Sequence, residues 1–245
     1  MSIAYTDDAN FKVITVTGSY SGTLADALAN MTGGAFDPTS NDLRIIGAGT
    51  NDTWNDFQYS YSNGQPTYLH IENITFFTTT VDGYCIYSKV TQVTMENVTI
   101  DGYSGGEGRW TETSGGALRL RSATYTGHNV NSPTLLDVTV TNCCRGLRIQ
   151  DSNGVYVKDC NIVKASGASY GVSDNGLYFA AGDYTSATGC QNCTFDGCDV
   201  ENAGQVAFMS IGGLSNTFLN CTMDTSTGAG FGCYNTNGTI NVTNC

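Results

Sequence analysis

The stretch Ile71-Glu-Asn-Ile-Thr-Phe76 decides the fold, because it returns along the chain, first as Met95-Glu-Asn-Val-Thr-Ile100. When the copies are aligned on the central Asn, that position is filled by turn-forming residues throughout: Asn73, Asn97, Asp137, Asp159, Gly197, Asn220 and Asn244. The intervals between successive positions are 24, 40, 22, 38, 23 and 24 residues. A period in the low twenties, with strand-forming residues at each return, is typical of a solenoid.

The position after each central residue carries a small hydrophobic side chain: Ile74, Val98, Val138, Cys160, Cys198, Cys221 and Cys245. Because four of the ten cysteines replace Ile and Val here, we predict thiols buried in a stacked core, in preference to disulfides or metal ligands. Cys190 and Cys193 have CxxC spacing, but neither a second CxxC nor a nearby His completes a zinc site. The sequence therefore predicts no metal and no cofactor.

The composition is that of a β-rich protein, with 30 Gly, 3 Pro and 14 Tyr among 245 residues. A net charge of −12 argues against a nucleic-acid partner. The sequence has no apolar run of about 18 residues, so we predict no membrane span. Its first ten residues lack the pattern of a signal peptide, which fits assembly in a cytoplasm or, alternatively, a secreted protein whose signal has been removed.

An amphipathic helix is predicted near the N-terminus, after a polar tail and a strand over residues 11–17. Its apolar face combines four residues at i, i+3, i+4 and i+7: Leu24, Ala27, Leu28 and Met31. Thr23 and Asp26 form a capping box at its start. We expect this helix to cover the end of the solenoid, where the core and a strand edge would otherwise be exposed.

Each coil carries a second predicted strand besides the repeated motif. These strands cover residues 84–88, 117–121, 146–150, 176–180, 206–210 and 230–234. Parallel coils hydrogen-bond about 4.8 Å apart, so equivalent positions stack and the Asn side chains form a ladder at a left-handed turn. The ladder explains the N-x-T sequons at Asn73, Asn97 and Asn220 without attached sugar. The aromatic segment 54–68 is predicted to be a loop that wraps the first coil.

The two long intervals carry predicted insertions at residues 101–115, 122–133, 164–175 and 182–192. The chain is therefore divided into residues 1–35, the strand and capping helix, and residues 36–245, the solenoid with its insertions. Loops that leave neighbouring coils build walls, and a solenoid generally binds ligands where such loops cluster.

The capping helix, the repeat of about 22–24 residues and the Asn ladder resemble the right-handed parallel β-helix superfamily, which includes pectate-lyase-like enzymes, alginate epimerases and phage tailspikes. The resemblance covers nearly the whole chain, and it implies an all-β, single-stranded, right-handed parallel β-helix. The catalytic signatures of those enzymes are missing: Asp37-Pro38 is followed by Thr39 rather than by His, and paired Asp occurs only as Asp7-Asp8. The resemblance therefore implies a fold and not an activity.

Basic residues concentrate near the insertions, where seven of the ten occur: Arg109, Arg119, Arg121, Arg145, Arg148, Lys158 and Lys164. Strand alternation directs Arg119 and Arg121 outward on one coil, Arg148 outward on the next and Tyr178 outward on the third. If the coils are in register, Arg119, Arg148 and Tyr178 form one outward column. Two guanidinium groups about 5 Å apart repel and need an anion between them, from a neighbouring carboxylate or from a ligand.

Two interpretations of this basic belt fit the sequence equally. In the first, it binds an acidic sugar: Arg neutralises the carboxylate, a nearby side chain transfers a proton, and Trp stacks on the sugar ring. The candidate catalytic residues are then Arg119, Arg148, Tyr178, Lys164 and His128. The candidate substrate-binding residues are Arg121, Trp110, Arg145, Asp174 and Asp183, the last two as a carboxylate pair for hydrolysis. In the second, the arginines bridge to Asp151, Asp159 or loop acids and only hold coils together.

The sequence favours a virion-surface protein of tailspike or capsid-decoration type that displays a glycan-recognition face. The alternative is a polysaccharide lyase or related depolymerase that acts on an acidic polysaccharide. The chain ends at Asn244-Cys245 within a repeat, so we expect an open edge that another chain covers, in a homotrimer or against a capsid or tail partner. The expected partners are therefore a polysaccharide or cell-surface glycan and an assembly partner.

Overall fold

The computed structural model describes residues 2–8, 11–30, 42–57, 59–60, 68–77, 84–88, 92–101, 116–121, 133–141, 146–150, 152–163, 175–180, 190–203, 206–211, 215–225, 229–234 and 239–245. In these ranges the chain forms 22 strands and one short helix, α1 (Leu24–Ala29). The strands are β1 (Ser2–Asp8), β2 (Phe11–Thr17), β3 (Ser19–Ser21), β4 (Asp42–Gly47), β5 (Thr53–Asn55), β6 (Tyr59–Ser60), β7 (Tyr68–Phe77), β8 (Tyr84–Ser88), β9 (Gln92–Asp101), β10 (Gly116–Arg121), β11 (Thr134–Thr141), β12 (Leu147–Gln150), β13 (Tyr156–Lys158), β14 (Asn161–Val163), β15 (Asn175–Ala180), β16 (Thr194–Asp196), β17 (Asp199–Ala203), β18 (Val206–Ile211), β19 (Asn216–Leu219), β20 (Thr222–Thr225), β21 (Ala229–Tyr234) and β22 (Ile240–Thr243).

The strands make two sheets that both advance in chain order. Sheet A follows the order β1-β2-β4-β7-β9-β11-β13-β16-β19-β22, and β3, β5, β14, β17 and β20 join it at its side. Sheet B follows the order β6-β8-β10-β12-β15-β18-β21. Among the described pairings only β1 with β2 is antiparallel. The chain therefore visits each sheet once per turn and stacks parallel strands, which confirms an all-β architecture compatible with a β-solenoid.

The central position of the repeated motif is a left-handed turn in every copy. Its φ values are 55°, 52°, 51°, 52°, 64°, 52° and 54° at Asn73, Asn97, Asp137, Asp159, Gly197, Asn220 and Asn244, respectively. Asn, Asp and Gly are the residues that adopt this region at least cost. Strands β7, β9 and β11 keep the same register on both sides of the turn, although the turn residues themselves are not paired. Each of these coils therefore has a strand segment on either side of the turn. A coil therefore has three strand segments rather than the two predicted.

The predicted side-chain ladder is present at this turn. Asn97 Nδ2 donates to Asn73 Oδ1 at 2.9 Å, and Asn244 Nδ2 donates to Asn220 Oδ1 at 3.2 Å. Gly197 interrupts the ladder, because a Cβ there would lie 2.5 Å from Asp159 Oδ1. Asn220 Nδ2 donates instead to Oδ1 of Asp196, one residue earlier, at 2.9 Å. The hydrogen bond between coils is thus kept where the side chain is missing.

The core runs along the inside of both sheets and includes three of the four thiols predicted from the repeated motif. The fourth, Cys245, is exposed, so the prediction is wrong for that residue. Cys160, Cys198 and Cys221 are buried free thiols, as are Cys85, Cys190 and Cys193. A side-chain hydrogen bond with Cys160, together with burial, raises the pKa of Cys198 to about 12. The prediction of core thiols is therefore confirmed for these six residues.

The N-terminal elements differ in part from the prediction. The capping box of Thr23 and Asp26 is present, and Leu24 and Ala27 of α1 are buried in the core. The first residues are not a tail: β1 pairs antiparallel with β2 along seven residues. Polar residues at both ends hid this strand in the sequence, but its backbone pairs with β2, and Ile3 and Tyr5 pack against the core.

In the aromatic segment after β4, the described residues 54–57 and 59–60 contribute three rings to the core, so the prediction of a wrapping loop is wrong for this part. Residues 61–67 lie outside the described residues. Trp54, Phe57 and Tyr59 are fully buried. Ring centroids lie 4.8 Å apart for Trp54 and Phe57, and 4.1 Å apart for Phe57 and Phe76. Trp54 Nε1 donates to the carbonyl oxygen of Gly22 at 2.8 Å, which ties the first coil to the segment that leads into α1. The hydrogen bond of its indole N–H allows the large ring of Trp54 to be buried in the first coil.

The predicted insertions lie mostly outside the described residues. At their edges, Asp101 ends β9, and Asn175 begins β15. Cys190 is buried, Gln191 bridges to Asn153, and Asn192 Nδ2 donates to Asn153 Oδ1 at 2.9 Å. Residues 190–192 therefore belong to the coil rather than to the insertion that was predicted to include them.

Candidate functional site

The three residues predicted to form an outward column share one register position on sheet B. Arg119 on β10 pairs with Arg148 on β12, and Arg148 pairs with Tyr178 on β15. The same position is Tyr87 on β8 and Met209 on β18. The backbone therefore brings two cations and two tyrosines to consecutive coils about 4.8 Å apart. We call this set, Tyr87, Arg119, Arg148, Tyr178 and Met209, the sheet B column.

Arg148 is the member of the sheet B column whose surroundings the structure describes. Its neighbours Leu147 and Ile149 belong to the core, and alternation places Arg148 on the opposite face of the strand. Arg148 is nevertheless only 8% exposed and takes part in contacts with the rest of the chain. A guanidinium in such a place interacts more strongly with a carboxylate than one in open solvent does.

The other predicted site residues are placed only in part. Arg121 pairs with Gln150, which pairs with Ala180, so Arg121 belongs to a neighbouring column that carries no second cation on these three strands. For Arg119, Arg121 and Tyr178 the structure describes the strand and its register. Six candidates lie outside the described residues: Trp110, His128, Arg145, Lys164, Asp174 and Asp183. Their roles in proton transfer, stacking and hydrolysis stay predictions.

Sheet A carries an ionic cluster that the sequence analysis missed. Arg44 Nη2 lies 2.6 Å from Glu72 Oε1, and His70 Nε2 lies 3.2 Å from Glu72 Oε2. All three side chains are half-buried. Arg44 and His70 share a register position on β4 and β7, so the cluster joins the first two coils. The sequence signal was the i, i+2 spacing of His70 and Glu72, which puts both on one face of a strand.

Sheet A also presents an exposed aromatic ring at mid-length. Tyr156 on β13 is 36% exposed, although Val155 and Val157 beside it are buried in the core. Thr134 and Thr194 occupy its register position on the neighbouring strands. Lys158, two residues along, lies 3.6 Å from Asp159 Oδ2 and pairs in register with Asp196. Tyr156 therefore lies among hydroxyl groups and charges of both signs.

Two negative findings hold for the part of the chain that the structure describes. In the ranges given above, no group of three or more His, Cys, Asp or Glu side chains could hold a metal ion. Within the same ranges, no helix has both the length and the hydropathy needed to cross a bilayer. The arrangement that remains is a set of polar and aromatic residues in register on parallel strands.

No protein-family model, curated protein or solved structure matches this chain. The resemblance to β-helix proteins therefore rests on the sequence repeat and on the two parallel sheets. Function has to be inferred from the sheet B column and from the surface of sheet A, because a solenoid fold hosts many unrelated functions.

Proposed function

We propose that the protein is a right-handed parallel β-helix, capped at its N-terminal end by α1, that displays a glycan-recognition face on a virion surface. The proposed ligand is an acidic polysaccharide bound along the sheet B column. The observation that carries this proposal is the shared register of Arg119 and Arg148, with Tyr178 on the next coil.

The electrostatics of this register favour an anionic ligand. Two unit charges about 5 Å apart repel by roughly 3 kcal/mol at an effective dielectric constant of about 20. A carboxylate or sulfate between cations on adjacent coils offsets that repulsion, and a guanidinium binds it with two parallel hydrogen bonds. Screening over about 8 Å at physiological ionic strength limits the opposing effect of the global charge of −12.

The proposed location rests on the thiols and on the surface. Six buried free thiols support folding in a reducing cytoplasm, where disulfides are rare. Outward positions of sheet A are rich in Thr, as at Thr75, Thr99 and Thr139, which share a register position. In such a display protein, further surface would be covered in a homotrimer or by a capsid or tail partner. The alternative location is outside the cell, where a secreted protein would meet the same glycan.

A second candidate function is a lyase that acts on an acidic polysaccharide. It is favoured by the burial of Arg148 beside the register position of Tyr178. Arg148 would neutralise the uronate carboxylate, and Tyr178, as its phenolate, would take the proton from the carbon that bears this carboxylate and become a neutral phenol. That electron pair forms the new C=C bond, and the glycosidic oxygen leaves and is protonated by solvent.

The test is a panel of acidic polysaccharides with the Arg119→Ala, Arg148→Ala double variant. Binding, unsaturated-uronate absorbance and reducing ends are measured for the variant, for the wild type and for Lys12→Gln, which removes a cation from β2. We expect the double variant to lose at least about tenfold in affinity, since two charged contacts are removed, and Lys12→Gln to bind normally. Unchanged affinity in a folded double variant would overturn the proposal. Binding with no increase in unsaturated-uronate absorbance or in reducing ends would rule out the lyase function.

A further inference from the structure

We infer that the outward face of sheet A around Tyr156 is a second glycan-binding surface, and that its ligand is a neutral polysaccharide chain. The inference goes beyond the proposed function, because it concerns another sheet and an uncharged ligand. It rests on the ring of Tyr156, on the column of hydroxyl groups that contains it and on the charges beside it.

The ring of Tyr156 is held outward by a fixed strand. Its backbone N–H donates to the carbonyl oxygen of Pro133 at 2.9 Å, and Thr194 N–H donates to the carbonyl oxygen of Val155 at 2.8 Å. Val155 and Val157 anchor the strand in the core on both sides. No aromatic ring among the described residues stacks on Tyr156, whereas buried rings such as Phe195 and Phe218 do stack on one another. An exposed, preorganised ring binds a sugar face with little loss of conformational entropy.

Hydroxyl side chains continue the register position of Tyr156 in both directions. The column reads Thr94, Thr134, Tyr156, Thr194 and Thr217 on five consecutive strands of sheet A. Successive members are about 4.8 Å apart, which is close to the length of one sugar unit in an extended chain. Each Thr hydroxyl can both donate and accept, as sugar hydroxyls do. The column therefore matches an extended polysaccharide laid along the solenoid axis.

The charges beside the column select a neutral ligand. The adjacent outward column contains Glu96, Leu136, Lys158 and Asp196 in register, and the exposed Asp159 lies next to Lys158. These described residues include one cation, Lys158, and three carboxylates, so their net charge is negative. A polyanion would be repelled by that balance, whereas carboxylate and ammonium groups both hydrogen-bond to sugar hydroxyls. This separates the face from the cationic sheet B column.

A glycan microarray that holds neutral and acidic polysaccharides in separate blocks tests the inference. We compare the wild type with Tyr156→Ala, Tyr156→Phe and Val242→Ala, the last as a control because Val242 is also an exposed apolar residue on sheet A. We expect Tyr156→Ala to lose about tenfold in affinity for the neutral chains, and Tyr156→Phe to keep nearly all of it, since the ring does the stacking. Circular dichroism confirms that the variants fold.

The outcomes separate this inference from the proposed function. If Tyr156→Ala binds neutral glycans as the wild type does, or if the wild type binds none of them, the sheet A inference is overturned. If the wild type binds neutral chains through Tyr156 but no acidic chain, the sheet A inference holds and the proposed function fails. A further outcome, seen by light scattering, is that Tyr156→Ala dissociates an oligomer while glycan affinity is unchanged. In that case the face is a protein–protein contact, and the inference is again overturned.

Discussion

Arg148 pairs in register with Arg119 on the adjacent parallel strand, and it does so while only 8% exposed. A buried cation must be compensated by groups around it, so removing it leaves those groups without their partner. Lys158, on the following strand of the same coil, is in contrast an exposed cation whose nearest carboxylate oxygen is 3.6 Å away. The two residues therefore form a matched pair for comparing the contribution of a buried cation to stability with that of an exposed one.

We expect Arg148→Ala to lower the free energy of unfolding by about 2–4 kcal/mol, because a buried polar contact and the packing of the long side chain are both lost. Lys158→Ala is expected to change it by less than about 1 kcal/mol, as an exposed ion pair does. Urea unfolding followed by circular dichroism measures both. Equal effects of the two substitutions would contradict the structural difference between them.

The Asn ladder predicts different costs for Gly and Ala at the same position. Asn97 has φ 52° and donates to Asn73, so Asn97→Gly removes one hydrogen bond, worth about 1 kcal/mol, and keeps the backbone unstrained. Asn97→Ala loses the same hydrogen bond but keeps a Cβ in the left-handed region without the polar side chain that makes it tolerable, so it should be about 1–2 kcal/mol less stable than Asn97→Gly. The difference in unfolding free energy between the two variants isolates the backbone term. It should vanish if the turn relaxes to another conformation.

Glu72 and Glu96 offer a second matched pair, because they share a register position on β7 and β9. Glu72 binds Arg44 at 2.6 Å and is half-buried, whereas Glu96 is exposed. We expect Glu72→Gln to cost about 1–3 kcal/mol through loss of a charged hydrogen bond, and Glu96→Gln to cost less than about 0.5 kcal/mol. Thermal unfolding checks the order, and a larger effect at Glu96 would refute the assignment.

The thiols predict a graded reactivity along one column of the core. Cys245 is exposed, whereas Cys221, in the equivalent position one coil earlier, is buried. Alkylation of the native protein followed by peptide mass spectrometry should label Cys245 within minutes and Cys221 only after unfolding. Rapid labelling of Cys221 in the native state would show that the core opens there.

The raised pKa of Cys198 also predicts that the free energy of unfolding decreases at high pH. A thiol whose pKa is about 12 in the folded state, against 9.0 as the ordinary value, holds its proton more tightly when folded. Its contribution to stability is therefore complete below pH 9 and is lost as pH rises toward about 12. Cys198→Val, which places the residue of Val98 and Val138 in the same position, should show a shallower loss of stability over that range than the wild type.

The fold could be predicted where the sequence repeats and alternates, and the misses have physical causes. Asn73 and its equivalents fixed the coil length and the register, so the pairing of Arg119, Arg148 and Tyr178 followed. The strand β1 was missed because polar residues at its two ends leave only a short apolar alternation, although Ile3 and Tyr5 pack against the core. Trp54 and Phe57 are buried rather than part of a wrapping loop, and no period in the sequence marks a residue that fills the first coil.

The candidate site was harder to predict than the fold, because contacts between coils join residues far apart in sequence. Arg44 and Glu72 are 28 residues apart, and no local pattern links them. The burial of Arg148 also depends on the chain around it rather than on its own strand, whose alternation indicates only that it faces away from the core. Tyr156 gave no sequence signal beyond its position before a buried Val157.

The left-handed turn at Asn73 has a consequence for how the chain can change in length. All nine pairs between β7 and β9 keep one offset of 24 residues, so deletion of residues 74–97 would join Asn73 to Val98 and leave every remaining strand in the same phase. The returns of 22 and 23 residues show that a coil can absorb one or two residues, whereas a larger change must leave the coil as a loop. Evolution can therefore lengthen or shorten such a molecule by whole coils without changing the packing of the remaining core. Each added coil extends any displayed surface along the solenoid axis by the same distance.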